Sequence, residues 1–215
     1  KGINLLSMKK DTIISIDIGG TTFESAIFNR DFLNIIDISL KWHVRDYNSS
    51  ESLFKGICSQ IQELLNKNNI GDNQIHGISI ACPGPLDSEN GIILDTPNLT
   101  LFRNYALKDR FKKQFDCKVL IENDANLFAL GEWFLSHQEE KVFIGVTLGT
   151  GLGFGLIFNG EMFTGKNGMA ADYGLSFCEW GIWEDKISLK YLRSEIEKIY
   201  GERVSPKDIE KHALG

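Results

Sequence analysis

The chain lacks the features that mark a membrane or secreted protein. No apolar run in its 215 residues approaches the roughly 18 residues that a membrane-spanning helix requires. The N-terminal segment lacks the apolar core and cleavage site of a signal peptide. The four cysteines are widely scattered, without a C-x-x-C pair or a short disulfide framework. We therefore expect a cytoplasmic protein with reduced thiols and no membrane partner.

Positive charge is also scarce. The formal net charge of −6 would repel a phosphate backbone, so we expect no nucleic-acid partner. The densest basic stretch, KDRFKK at residues 108–113, alternates with Leu107, Phe111 and Phe115 at helical spacing, which is typical of the solvated side of an amphipathic helix. No Walker lysine loop and no G-x-G-x-x-G between a strand and a helix occur, which argues against P-loop and Rossmann sites.

The sequence contains enough apolar residues, 42%, for a substantial core. Runs rich in β-branched and aromatic residues at 12–18, 23–29 and 32–40 predict three consecutive antiparallel strands. Apolar residues at helical spacing predict a helix from about Ser50 to Asn66. The next predicted elements are strand 75–81, helix 104–115, strand 117–121 and a helix through Trp133. This order favours a mixed α/β layer fold.

A second β pattern opens near Lys141 and predicts strands at about 141–148 and 154–160, followed by a helix at about 184–200. We therefore expect two domains, residues 1–124 and 125–215. Two strands and a helix do not easily close a core, and SPKDIEKHALG at 205–215 has the cap pattern of another helix start. We expect the second domain to be truncated in this sequence.

Two glycine turns are the first candidates for function. In SIDIGGTT, Asp17 stands near the end of a buried strand, and the N–H groups and hydroxyls of Gly19, Gly20, Thr21 and Thr22 offer ligands for phosphate oxygens. Asp17 offers a carboxylate to a hydrated Mg²⁺. A plain hairpin turn explains this segment equally well when it is taken alone.

The second turn, Gly149, Thr150 and Gly151, repeats this arrangement between two apolar strands. Two such turns, each opening a separate β unit, are better explained by two halves that hold one polyphosphate than by two coincidental hairpins.

Glu122, Asn123 and Asp124 stand where a buried strand gives way to the apolar face of a helix. A carboxylate at a helix start favours the helix dipole, so capping is one interpretation.

Six motifs in this order, DIGGTT, CPGP, TPNL, ENDAN, GTGLGFG and GMAADYG, resemble the ROK family of bacterial sugar kinases and sugar-responsive repressors. The resemblance implies a ribonuclease H-like/actin-like ATPase fold of the α/β class, with two lobes around a central cleft. It also implies Asp124 as general base, ATP and Mg²⁺ as cofactors, and a homodimer. Its implied sugar-binding residues include Gly84, Asn98 and Asn123; Gly84 and Asn98 have ordinary loop roles as their alternative.

The sequence departs from the family at one segment. The family carries Glu-x-Gly-His followed by a cysteine-rich zinc segment, whereas here Asp172 replaces the glutamate and Leu175 the histidine. Only Cys178 remains of the cysteines, so we expect no zinc site. We expect Trp180, Ile182 and Trp183 to form an apolar cluster in its place, around a buried Cys178. Asp172 and Glu184 are the remaining candidates for sugar contacts there, and Glu184 has helix-start stabilisation as its alternative.

The leading hypothesis is therefore an ATP- and Mg²⁺-dependent kinase for a small-molecule sugar, of the glucokinase, fructokinase, allose kinase or N-acetylhexosamine kinase type. The sugar itself is left open, because the Asp172 and Leu175 changes alter its hydrogen-bond partners. An alternative is a sugar-binding ROK-type protein without turnover. A DNA-binding regulator is a further alternative, but only sixteen residues precede Asp17, and we expect these to be too few for a DNA-binding domain.

Overall fold

The computed structural model describes residues 10–31, 34–165, 168, 170 and 172–201. The chain forms two compact units that divide between Asp124 and Ala125. No helix in the described ranges is both long enough and apolar enough to cross a membrane.

The first unit is built on a mixed sheet and two α-helices. Its strands are β1 (Thr12–Ile18), β2 (Thr22–Asn29), β3 (Asn34–Ile38), β4 (Trp42–His43), β5 (Ile75–Cys82), β6 (Leu86–Asp87), β7 (Ile92–Ile93) and β8 (Lys118–Asn123). Its helices are α1 (Ser50–Lys67) and α2 (Leu107–Phe115), and α3 (Asp124–Ser136) begins at its last residue.

The main sheet has the strand order β3-β2-β1-β5-β8, with β4 also paired to β2. β1, β2 and β3 are consecutive in the chain and form an antiparallel meander. β5 and β8 return through helices and pair parallel to β1 and to β5 respectively. The carboxyl ends of β1, β5 and β8 therefore lie at one edge of the sheet.

The core of this unit lies between the sheet and the helices. Ile14, Ile16 and Ile18 alternate along β1 and are completely buried. α1 begins at a capping box formed by Ser49 and Ser52, whose side chains each accept a backbone N–H of the other residue. Its apolar face is buried from Leu53 to Leu65. This packing fixes the sheet edge on which the candidate site is built.

The second unit contains α3 from Ala125 onward, a smaller sheet and one further helix. Its strands are β9 (Val142–Leu148), β10 (Leu152–Phe158), β11 (Glu161–Met162), β12 (Phe177–Cys178) and β13 (Gly181–Ile182), and its helix is α4 (Leu189–Tyr200). β9, β10 and β11 form an antiparallel sheet, and β12 pairs with β13. Asn159 and Gly160 connect β10 to β11 with positive φ angles of 52° and 82°, as a two-residue hairpin turn requires.

The two faces of β9 differ in their packing. Gly145 lies directly against Ala129 of α3, so the backbones of the strand and the helix approach closely. On the other face, Val142, Ile144, Val146 and Leu148 are between 46% and 55% exposed. The first face is packed by α3, and the second has the apolar character of a buried surface but remains open to solvent.

The order and type of the long elements agree with those expected from the sequence, and several boundaries differ. α2 starts at Leu107 rather than near residue 104, and β10 starts at Leu152 rather than at Phe154. β8 continues to Asn123, and α3 continues to Ser136. α4 starts at Leu189 rather than near Glu184, because Trp183–Asp185 form a separate 3-10 turn and Ser188 caps the helix by accepting the N–H of Tyr191. The helix expected at 205–215 lies outside the described residues.

Candidate functional site

The first group of candidate residues meets at the carboxyl edge of the three parallel strands. Asp17 of β1 is in register with Ala81 of β5, and Cys82 of β5 is in register with Asn123 of β8. Asp17, Gly84 just beyond β5, Asn123 and Asp124 therefore all stand at the same edge of the sheet. Crevices outside the carboxyl ends of parallel strands are where open α/β sheets bind their ligands.

The turn after β1 is closed by backbone contacts. The N–H of Gly19 donates to the carbonyl of Thr22 at 2.9 Å. Gly20 lies against the backbone carbonyl of Asn98, and a Cβ at position 20 would collide with that oxygen. Only glycine fits at this position, and its lack of a side chain brings the DIGGTT turn into contact with the TPNL segment.

A second close approach joins Gly84 to the end of β8. A Cβ at Gly84 would lie 3.2 Å from the side-chain Nδ2 of Asn123, so the amide of Asn123 packs against the CPGP loop. The Gly84–Pro85 peptide is cis. Sequence-based candidates from three separate motifs are thus neighbours in the folded unit.

The site concentrates negative charge. Partial burial raises the pKa of Asp17, and the nearby charge of Asp124 raises it further, while the charge of Lys41 acts in the opposite direction. Burial likewise raises the pKa of the Cys82 thiol, with Asp124 as the largest contributing charge, so Cys82 is protonated at neutral pH. Such an acidic edge attracts cations and polyvalent metal ions.

Asp124 is the first residue of α3, and its side chain is exposed. An exposed carboxylate at this position is accessible to a molecule bound at the sheet edge. The carboxylate of Glu122, by contrast, accepts the backbone N–H of Asn123 at 2.8 Å and thereby supports the turn into the helix.

Lys41 is a charged residue of the site that lies in none of the sequence motifs. Its ammonium lies 4.0 Å from the carboxylate of Glu24, which is the β2 residue in register with Asp17. Lys41 therefore supplies the positive charge that moderates the acidity of this edge. Its sequence context, after a predicted strand, contained no spacing signal that could have revealed it.

The second group of candidates lies in the second unit, at the turn between β9 and β10. The N–H of Gly149 donates to the carbonyl of Gly151, and the N–H of Leu189 donates to the carbonyl of Gly149, both at 2.9 Å. Thr150 is exposed at the tip of the turn. The backbone of the turn is thus held from inside and from the start of α4.

Glu184 lies at the same turn. Its Oε2 atom accepts the backbone N–H of Leu152 at 2.9 Å, and a Cβ at Gly151 would collide with this carboxylate. Asp172 is close by, since partial burial raises its pKa and the charge of Glu184 raises it further. The structure therefore brings together Gly151, Asp172 and Glu184.

The prediction of an apolar cluster in place of a zinc site is wrong. Trp180 is 62% exposed and Trp183 is 41% exposed, and Cys178 is half-buried rather than buried. Trp180 lies in the turn of the short β12–β13 hairpin, where its side chain is exposed. In the described part of the chain, no three His, Cys, Asp or Glu side chains are grouped so as to hold a metal ion.

Comparisons with known proteins agree with these motifs. The family model described as "ROK family" matches residues 13–179. A glucokinase of Thermotoga maritima is 34% identical over 168 residues, which are 78% of this chain and 51% of that protein. A xylose repressor of Caldicellulosiruptor bescii is 31% identical over 218 residues, covering 95% of this chain and 54% of that protein. The chain spans about half the length of the curated relatives it matches.

A solved structure gives the same result for the fold. A ROK family glucokinase from Streptomyces griseus, in complex with glucose and AMPPNP, superposes with a TM-score of 0.74 at 25% identity. The superposition covers 88% of this chain and 62% of that one. The predicted fold class, an α/β fold of the actin-like ATPase type, is confirmed.

Proposed function

Because the chain belongs to the ROK family, we propose that it takes part in ATP-dependent phosphorylation of a hydroxyl group on a hexose or hexose derivative. The similarity to a glucokinase over 78% of the chain supports this proposal. So does the fold shared with a glucokinase that was solved with glucose and an ATP analogue.

The observation that carries the proposal is the meeting of four candidates at one sheet edge. Asp17, Gly84, Asn123 and Asp124 come from three motifs that are up to about a hundred residues apart in sequence, and the register of β1, β5 and β8 aligns them. A set of unrelated loop residues would have no reason to converge in this way. Asn98 joins the group through its contact with Gly20.

In the proposed reaction Asp124 is the general base. Its carboxylate accepts the proton of the sugar hydroxyl while that oxygen forms a bond to the γ-phosphorus of ATP, and the bond from that phosphorus to the bridging oxygen of ADP breaks. Asn123 and Asn98 hold sugar hydroxyl groups through amide hydrogen bonds, and Gly84 lets the sugar approach the backbone. A fixed sugar is what makes one weak base sufficient.

The phosphates require separate ligands. The turn at Gly19, Gly20, Thr21 and Thr22 provides N–H and hydroxyl donors, and the turn at Gly149, Thr150 and Gly151 provides a second set. Asp17 would hold Mg²⁺ through water, and its partial burial near the charge of Asp124 supports a cationic ligand. Bound Mg²⁺ would neutralise charge on the phosphate oxygens.

A second candidate function is sugar sensing without turnover. The similarity to a xylose repressor covers 95% of the chain, and Leu175 cannot form the hydrogen bonds expected of the family histidine. A protein of this kind would bind a sugar at the same sheet edge and leave ATP unchanged.

One experiment separates the two functions. ADP release is measured over a panel of glucose, fructose, allose and N-acetylhexosamines, with the full chain and with Asp124→Asn. We expect one sugar to stimulate release, and Asp124→Asn to lower kcat by about 10²- to 10⁴-fold, since it removes the base but keeps the shape. Asp72→Asn, an exposed acid away from the site, is the control and should keep full activity.

Two outcomes would contradict the kinase proposal. The first is sugar-stimulated ADP release that Asp124→Asn does not reduce, which would show that the base lies elsewhere. The second is a sugar that raises Tm but stimulates no ADP release, which would favour the sensor.

A further inference from the structure

The carboxylate of Glu184 is engaged with the backbone of the second glycine turn. Its Oε2 atom accepts the N–H of Leu152, the residue that follows the turn, at 2.9 Å. Hydrogen bonds to an ionised acceptor are stronger than those between neutral groups. A side chain at Gly151 would displace this carboxylate, so the glycine and the glutamate fit one another.

The neighbourhood fixes Leu152 on its other side as well. Gly174 lies so close to the carbonyl of Leu152 that a Cβ at position 174 would collide with that oxygen. Leu152 itself is buried. Its peptide groups are therefore held by Glu184 at the nitrogen and by Gly174 at the carbonyl, which leaves little freedom to the turn that precedes it.

The start of α4 provides the third support. Ser188 is buried and caps α4 by accepting the N–H of Tyr191, and the next N–H, that of Leu189, donates to Gly149. Residues 184–189 thus contact both ends of the Gly149–Gly151 turn. A short segment that grips a turn at both ends determines the directions of the turn's remaining donors.

We propose that Glu184 is a positioning residue for the phosphate-binding turn at Gly149–Gly151. This inference rests on the proposed function for the meaning of the turn, but its geometry stands independently. A hydrogen bond from Leu152 orients the turn before ATP arrives, and such preorganisation lowers the cost of binding the phosphates.

The test compares Glu184→Ala with Glu184→Gln, and with Glu179→Ala as a control that removes an exposed acid from the same unit. We expect Glu184→Ala to raise KM for ATP by about tenfold or more, the usual effect of losing one charged hydrogen bond. KM for the sugar should change by less than about twofold. Glu184→Gln keeps an acceptor oxygen and should recover most of the affinity, while Glu179→Ala should match the unmodified protein.

A second measurement does not depend on turnover. Hydrogen exchange of the Leu152 amide, followed by NMR, should be about tenfold faster in Glu184→Ala, and unchanged in Glu179→Ala, because that amide loses its acceptor. If the unmodified chain shows no kinase activity, the proposed function fails, and this exchange rate still decides whether Glu184 holds the turn. An unchanged exchange rate, or a rise in KM for the sugar instead of ATP, would overturn the inference.

Discussion

Asp17 shows how a single site residue can reduce the stability of the fold that holds it. Burial raises its pKa, and the negative charges of Asp124 and Glu24 act in the same direction. The folded chain therefore binds this proton more tightly than the unfolded chain. The protonated carboxyl group therefore favours the folded state, and this contribution is fully present below the ordinary aspartate pKa of about 3.9. It is lost as pH rises through the raised pKa of the folded state, so the ionised carboxylate makes the fold less stable at pH 7.

Asp17→Asn should accordingly increase the free energy of unfolding at pH 7. We expect a gain of up to about 1 kcal/mol, since solvent screens a charge that is partly exposed. The gain should shrink at pH 3, where the carboxyl group is protonated in both states. Urea unfolding at the two pH values measures the difference.

Asp87→Asn is the matched control with the opposite sign. Hydrogen bonds from the side chain and backbone of Asn90 lower the pKa of Asp87, so its ionised form favours the folded state. This stability is present above the unfolded pKa and is lost as pH falls through the lowered folded pKa. A loss of stability at pH 7 in Asp17→Asn would contradict the account of the site as electrostatically costly.

At the scale of elements, the contact between β10 and α3 depends on small residues. A Cβ at Gly155 would lie 2.5 Å from the carbonyl oxygen of Ala125 and 2.6 Å from the Cβ of Ala129. Gly145 of β9 meets Ala129 in the same way. The strand and helix backbones therefore touch with almost no side-chain layer between them.

Gly155→Ala should destabilise the second unit by about 1–3 kcal/mol, the usual cost of forcing an extra methyl group into a packed contact. Gly131→Ala is the matched control. Gly131 lies in α3, the helix that Gly155 packs against, and a Cβ at position 131 meets nothing within 4 Å. It should be neutral or stabilise by up to about 1 kcal/mol, since alanine favours helix. Thermal unfolding of both variants measures the contrast, and equal Tm shifts would refute the packing argument.

Periodicity alone was sufficient to predict the long elements. The alternation from Thr12 to Ile18 and the apolar spacing of α1 are local patterns, so the sequence contains them directly. The start of α4 was placed too early because Glu184 resembles a first-turn acid, whereas its carboxylate instead binds the N–H of Leu152. That contact joins residues 32 positions apart, and no local pattern encodes it.

Only part of the candidate site could be predicted, because only its local motifs are visible in the sequence. The turns and ENDAN are local motifs that the sequence displays, but their meeting depends on strand register. Trp180 was expected in an apolar cluster because it is a large apolar residue in the segment where the family binds zinc. It lies instead in the turn of a hairpin and is exposed. Residue type indicates whether burial of a side chain is favourable, but the position of the residue on the backbone determines whether the side chain is buried.

At the scale of the whole molecule, the two units differ in their cores. The large cluster of buried apolar residues runs from Ile14 to Ile121 and lies within the first unit. In the second unit the described buried apolar residues are Ala125, Ala129, Leu152 and Ile157. The apolar run of β9 resembles that of β1 in sequence, but Ile14, Ile16 and Ile18 are covered and their β9 counterparts are half exposed.

Native-state hydrogen exchange should reveal this difference. Amides in the centre of β1 and β5 should exchange at least about 100-fold more slowly than those in the centre of β9, because opening the first unit exposes much more apolar surface. Mass spectrometry of peptides from each strand provides the measurement. Similar protection in β1 and β9 would show that the uneven cores do not produce uneven stability.

The two glycine turns also differ in whether a substitution can remove the contact that supports them. The DIGGTT turn rests against a main-chain oxygen of residue 98, which every replacement of that residue would still supply. The other turn depends on a side-chain carboxylate at residue 184, which one codon change deletes. A single substitution at residue 184 can therefore loosen the second turn, whereas no substitution at residue 98 removes the main-chain contact of the first.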